Sequence, residues 1–193
     1  STPIKSSAAS DVYKRQTTMA STIPAIISNF ANPALVMRFG KRKVMIAGSL
    51  LMILGSLVVG AAGANIPLVL FGIVIKGFGM GPIMSGVFAL TADVVDYGEW
   101  KTGIRSEGLV NSCTSFGMKV GIGLGSAVCT WILAFGGYDG TAAVQSASAV
   151  ASIRFAYGYF GAIISAVCLV IILMMNIDKN IKEIQKDLQA KRN

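Results

Sequence analysis

Apolar residues in this chain are gathered into five long blocks, and charge is largely confined to the gaps between them. The blocks run at about 17–37, 44–62, 67–92, 107–135 and 152–176. About 20 apolar residues is the length a helix needs to cross the hydrocarbon of a bilayer. A backbone exposed to lipid must satisfy its own hydrogen bonds, which makes the helix the expected element. Charged residues are 13% of the chain, whereas a soluble domain carries about a quarter. The expected architecture is therefore all-α: a polytopic transmembrane bundle of five helices.

Histidine is absent. That removes the Ser-His-Asp and Cys-His nucleophile systems and the commonest metal ligand. Cys113, Cys129 and Cys168 fall inside apolar blocks without a CxxC spacing and read as small packing residues. No cofactor is expected.

The net charge is +8, and its placement points to a membrane surface and not to nucleic acid. Four basic residues crowd positions 38–43, Lys101 and Arg105 follow the third block, and five lie in the tail 177–193. The alternate gaps, 63–66 and 136–151, have no basic residue. Basic loops stay cytoplasmic, so the C-terminus is expected there and the N-terminus outside. Residues 1–16 are polar and lack the apolar core of a signal peptide. An outside N-terminus bearing Lys5, Lys14 and Arg15 is awkward. The expectation is a fragment with a non-native or disordered leader; the alternative is a complete five-span protein. In the tail, Ile177, Ile181, Ile184 and Leu188 recur at helical spacing with Lys179, Lys182 and Lys186 on other faces. This pattern suits an amphipathic helix on the inner leaflet or a solvated charged tail.

Within the third block, Lys76 precedes Gly77-Phe78-Gly79-Met80-Gly81-Pro82. Such a run loosens a helix, and the freed backbone needs protein or a wet cavity. Lys76 either faces that cavity or snorkels outward. In the fourth block, Glu107, Asn111, Ser115 and Lys119 are spaced by four and share one helical face, with Thr114 beside it. A lysine so deep costs roughly 2.5–3.5 kcal/mol in lipid, so Lys119 is expected to face a cavity or a partner charge. The stripe suits a path for a polar solute or a polar helix seam. Gly117, Gly121 and Gly125 form a small-residue face, for which Gly158, Ala162 and Ala166 offer a complement. Asp93, Asp96, Glu99, Lys101 and Arg105 mix signs at the cytoplasmic mouth, as a latch or as solvated charges.

The stretch Ala92-Asp93-Val94-Val95-Asp96-Tyr97-Gly98-Glu99-Trp100-Lys101-Thr102-Gly103, followed by Arg105-Ser106-Glu107-Gly108, resembles the loop between helices 10 and 11 of the glycoside–pentoside–hexuronide:cation symporters. These are the melibiose permease group of the major facilitator superfamily. Pro33 to Lys43 resembles that superfamily's weaker motif between helices 8 and 9. The resemblance implies helices 8 to 12, part of the C-terminal half of a major facilitator fold, with the N-terminal bundle missing. It implies multi-pass residence in a bacterial inner membrane and alternating-access symport of a sugar or glycoside with Na⁺ or H⁺. It places Lys119, Ser115 and Thr114 at helix-11 positions that line the sugar cavity, with Asn111 on the same stripe. It places Asp93, Asp96 and Arg105 in the cytoplasmic charge network, with Glu99 and Glu107 beside them. Where the family offers the sugar an aromatic residue on helix 10, this chain has Met84, which leaves the particular sugar open. The competing readings are a small polytopic scaffold protein and a membrane-embedded enzyme using Asp93, Asp96 and Glu99.

Overall fold

In the computed structural model, residues 3–63, 65–142, 145–175 and 181–192 are described, and they are almost entirely helical. The first helix, α1, spans Pro3–Phe39, and α2 spans Lys41–Ala61. The third, α3, spans Ile66–Thr102, and α4 spans Glu107–Phe135. Next come α5, Ala147–Arg154, a π-helical turn, Phe155–Phe160, and α6, Gly161–Met174, which run on as one rod. The tail helix α7 is Ile181–Arg192. Helix α1 thus begins at Pro3, ahead of the expected start near 17, and residues 3–16 continue straight into it. Proline suits a first helical turn because its missing N–H would be unpaired there anyway.

Among the described residues, four helices are long and apolar enough to cross a membrane: α2, α3, α4 and the α5–α6 rod. The expectation was five. Helix α1 is as long as α3, but Ser28, Asn29 and Asn32 dilute its apolar stretch. Two of these residues serve α3 instead. Asn32 is buried and donates to Ser85. The Ser28 hydroxyl donates to the Phe78 carbonyl at 2.6 Å. Phe78 lies four residues before Pro82, which has no N–H to give it. Helix α3 therefore runs unbroken through the glycine–proline run, because α1 supplies the missing donor.

The tightest packing is between α2 and α3. Lys41, Gly48 and Gly55 repeat every seven residues on α2, and Gly72, Gly79, Gly86 and Asp93 do so on α3. A Cβ on Gly79 would lie 2.5 Å from the Gly48 carbonyl oxygen, and one on Gly55 would lie 2.6 Å from that of Gly72. The two backbones touch where no side chain intervenes. A run of sevens keeps one face toward a partner. These two runs count in opposite directions, as antiparallel neighbours require.

The predicted glycine face on α4 behaves differently. Around Gly117, Gly121 and Gly125 an added Cβ would meet nothing within 4 Å. Their expected complement is used elsewhere: Gly158 lies against Gly60 of α2, and Ala162 is buried. No residue of α4 is buried. The helix meets α3 at Thr91–Thr114, where the hydroxyls are 3.4 Å apart, and α5 at Gly136–Ser152.

Candidate functional site

Two polar constellations stand at the end of the bundle where α1 meets α2 and α3 meets α4. The first centres on Arg105 in the short α3–α4 connection. Its Nη1 lies 2.8 Å from Glu99 and 3.4 Å from Asp96, and its Nε lies 3.3 Å from Glu107. Helix α3 brings Asp96 and Glu99, and the first residue of α4 brings Glu107. Hydrogen bonding to Glu99 raises the Arg105 pKa above its ordinary value, with Glu107 adding to the effect and desolvation opposing it. The guanidinium is a permanent cation tying the two helices across Gly103, whose φ of 73° ends α3. A small cavity of about 250 Å³ opens beside it, lined in part by Thr91, Asp96, Arg105, Glu107 and Asn111. Asn111 therefore shares the Arg105 neighbourhood.

The second is a pair formed across the α2–α3 seam. Asp93 is 1% exposed and accepts both of its contacts from Lys41 Nζ, at 2.7 and 2.9 Å. Asp93 is thus separate from the Arg105 cluster with which it was grouped. In the sequence Lys41 stands only as one of the basic residues that set orientation. Its spacing of seven from Gly48, matched by Asp93 after Gly86, is the signal that reveals the pair. Arg42, from the same cluster, donates to the Leu173 carbonyl near the end of α6, which is left without an intrahelical donor.

The tail helix reaches this region too. Ile181, Ile184 and Leu188 are buried, and Gln185 donates to Asp96 at 3.1 Å. Its apolar face is covered by protein and not offered to a leaflet, with α7 packed against α3. Ile177 and Lys179 lie outside the described residues.

The expected solute-path residues are not gathered into one closed pocket. Lys119 and Ser115 are exposed on α4, Thr114 is half-buried against Thr91, and Met84 is exposed on α3. Among the described residues Lys119 has no hydrogen bond or ion pair. Lys76, by contrast, is held by protein. Its ammonium lies 4.8 Å from the centre of the Tyr157 ring on the π-helical turn. On that π-helical turn Tyr157 faces Lys76 of α3 and Tyr159 packs on Gly60 of α2.

These features define a multi-helix membrane bundle with ion-paired helix ends and an exposed polar stripe. The family described as MFS/sugar transport protein matches residues 11–179. An isoprimeverose transporter of Lactiplantibacillus pentosus is 36% identical over 169 residues, 86% of this chain and 35% of the transporter. A glucuronide carrier protein homolog of Escherichia coli (strain K12) is 36% identical over 123 residues, 63% of this chain and 27% of the carrier. A putative 2,3-dihydroxypropane-1-sulfonate exporter of the same strain is 41% identical over 113 residues, 58% of this chain and 24% of the exporter. The chain spans about a third or less of the length of these relatives. No solved structure matches it significantly. The chain belongs to the MFS/sugar transport protein family, and the relatives it matches are named as a transporter, a carrier and an exporter.

Proposed function

We propose that this chain forms part of the C-terminal bundle of a cation-coupled sugar symporter that works by alternating access. The observation that carries the reading is α4: a 29-residue helix with no buried residue and a polar stripe, Asn111, Ser115 and Lys119, along its open length. A polar face on a membrane helix is stable when it borders water or protein. In this reading it borders the solute path between this bundle and a second, N-terminal one. Thr114 and Met84 flank the path, a sugar or glycoside occupies it, and Lys119 gives a hydroxyl or acidic group a charged donor. The driving ion is Na⁺ or H⁺.

The Arg105 cluster then acts as the latch on the cytoplasmic side. Asp96 and Glu99 at the end of α3 and Glu107 at the start of α4 share one guanidinium. Moving α4 relative to α3 separates charges that sit in partial contact with water, so the latch opens at modest cost. Asp93 and Lys41, one turn deeper, stay paired and keep α2 and α3 moving together. The basic residues at this end support a cytoplasmic C-terminus, and the bacterial relatives support residence in a bacterial inner membrane.

The test is uptake of a labelled glycoside by cells expressing the transporter that carries this sequence. Lys119→Ala should abolish accumulation at unchanged membrane abundance. Wild-type accumulation in that variant would refute the assignment of α4 to the path.

A further inference from the structure

An apolar groove of about 560 Å³ runs between α1 and α2, with α3 as its floor. Ile27, Leu35 and Phe39 form one wall, Ala47 and Leu51 the other, and Phe78 lies beneath. From Ile27 to Phe39 the α1 wall is about 18 Å long, close to the roughly 15 Å of hydrocarbon in one leaflet. Ser28 and Lys43 are the polar residues of the lining, and the Ser28 hydroxyl is already committed to Phe78. Both charges at the groove's end are cations. Lys43 lines it and is exposed, and the Arg38 guanidinium sits 5.4 Å from the centre of the Phe39 ring that forms its wall.

We propose that this groove is a binding site for an anionic phospholipid. One acyl chain lies along α1 and α2 over Phe78, and the phosphate sits between Arg38 and Lys43. The neighbouring cations are occupied: Lys41 holds Asp93 and Arg42 holds the Leu173 carbonyl. The chain's own geometry thus leaves two cations for a headgroup, at the level where the α1–α2 connection leaves the membrane. Bulk lipid is as apolar as the groove, so the acyl contact alone confers no preference. Selectivity comes from charge, at roughly fivefold per basic group near an anionic headgroup. No residue of α4 lines the groove, so the site does not depend on the solute-path reading.

The test is native mass spectrometry of the full 193-residue chain, released from micelles doped with phosphatidylglycerol or with phosphatidylcholine of the same acyl chains. One phosphatidylglycerol should be retained in preference to phosphatidylcholine. The double variant Arg38→Gln/Lys43→Gln should lose that preference by about tenfold or more, with unchanged helix content. Ala47→Trp should fill the groove and reduce retention of both lipids. Equal retention of the two lipids by the unaltered chain would overturn the proposal, and so would indifference to the double variant. Efficient cross-linking of Ala47→Cys to another helix of the transporter would also overturn it, because a protein segment would then fill the groove.

Discussion

Consider the substitution Lys41→Met. It leaves the carboxylate of Asp93, 1% exposed, without the ammonium now 2.7 and 2.9 Å from its two oxygens. At those distances the attraction is about 6 kcal/mol for an effective dielectric of about 20. Desolvation of the carboxylate offsets much of that in the intact pair. Removing one partner leaves the desolvation cost standing alone, at about 3–5 kcal/mol. Lys41 is 31% exposed, so water replaces some of what is lost and the lower end of that range is expected. The double variant Lys41→Met/Asp93→Leu removes both charges and should return to within about 1 kcal/mol of the unaltered chain, since an apolar pair of similar volume often substitutes without loss. The assay is SDS titration of the chain in mixed micelles, followed by helical circular dichroism, with the four members of the double-mutant cycle compared. A cost below about 1 kcal/mol for Lys41→Met, or a double variant at the sum of the two single ones, would refute the inference that the pair closes the α2–α3 seam.

Three further outcomes follow from particular contacts. Gly79→Ala should destabilise the chain by about 1–3 kcal/mol in the same titration, because its Cβ would stand 2.5 Å from the Gly48 oxygen. Gly121→Ala, with nothing within 4 Å, should be neutral or stabilising by up to about 1 kcal/mol; equal losses at the two sites would contradict the packing described. In the loop after α4, the Thr141 hydroxyl and amide donate to Asp139 at 2.6 and 2.8 Å, which holds that carboxyl below its ordinary value of 3.8. A depressed acid contributes its stabilisation above the unfolded value and loses it as pH falls through the folded one. Protection of the Thr141 amide against hydrogen exchange should therefore persist at neutral pH and collapse in strong acid. A protection factor that does not respond to pH would rule the turn out.

Much of the helical plan could be read from the chain itself. Blocks of apolar residues near the bilayer's thickness specify transmembrane helices, because no other open structure satisfies its backbone in lipid. Pro67 marks the start of α3, because proline suits a first helical turn; the expected end near 92 is too early, since the helix runs on through the charged stretch to Thr102 and stops at Gly103. The Arg105 cluster was legible too, because its carboxylates lie within nine residues of it along the chain.

Contacts far apart in sequence were decided by tertiary structure alone. Lys41 and Asp93 are 52 residues apart, and only the packing of α2 on α3 makes them a pair. The Ser28 bond that lets α3 pass through Pro82 unbroken spans 50 residues. Spacing by four marked the α4 glycines as a packing face, yet the backbones that touch belong to glycines spaced by seven on α2 and α3. Periodicity tells which residues share a face. What that face meets depends on every other helix, so the five apolar blocks specify the helices and only their docking selects the pairs.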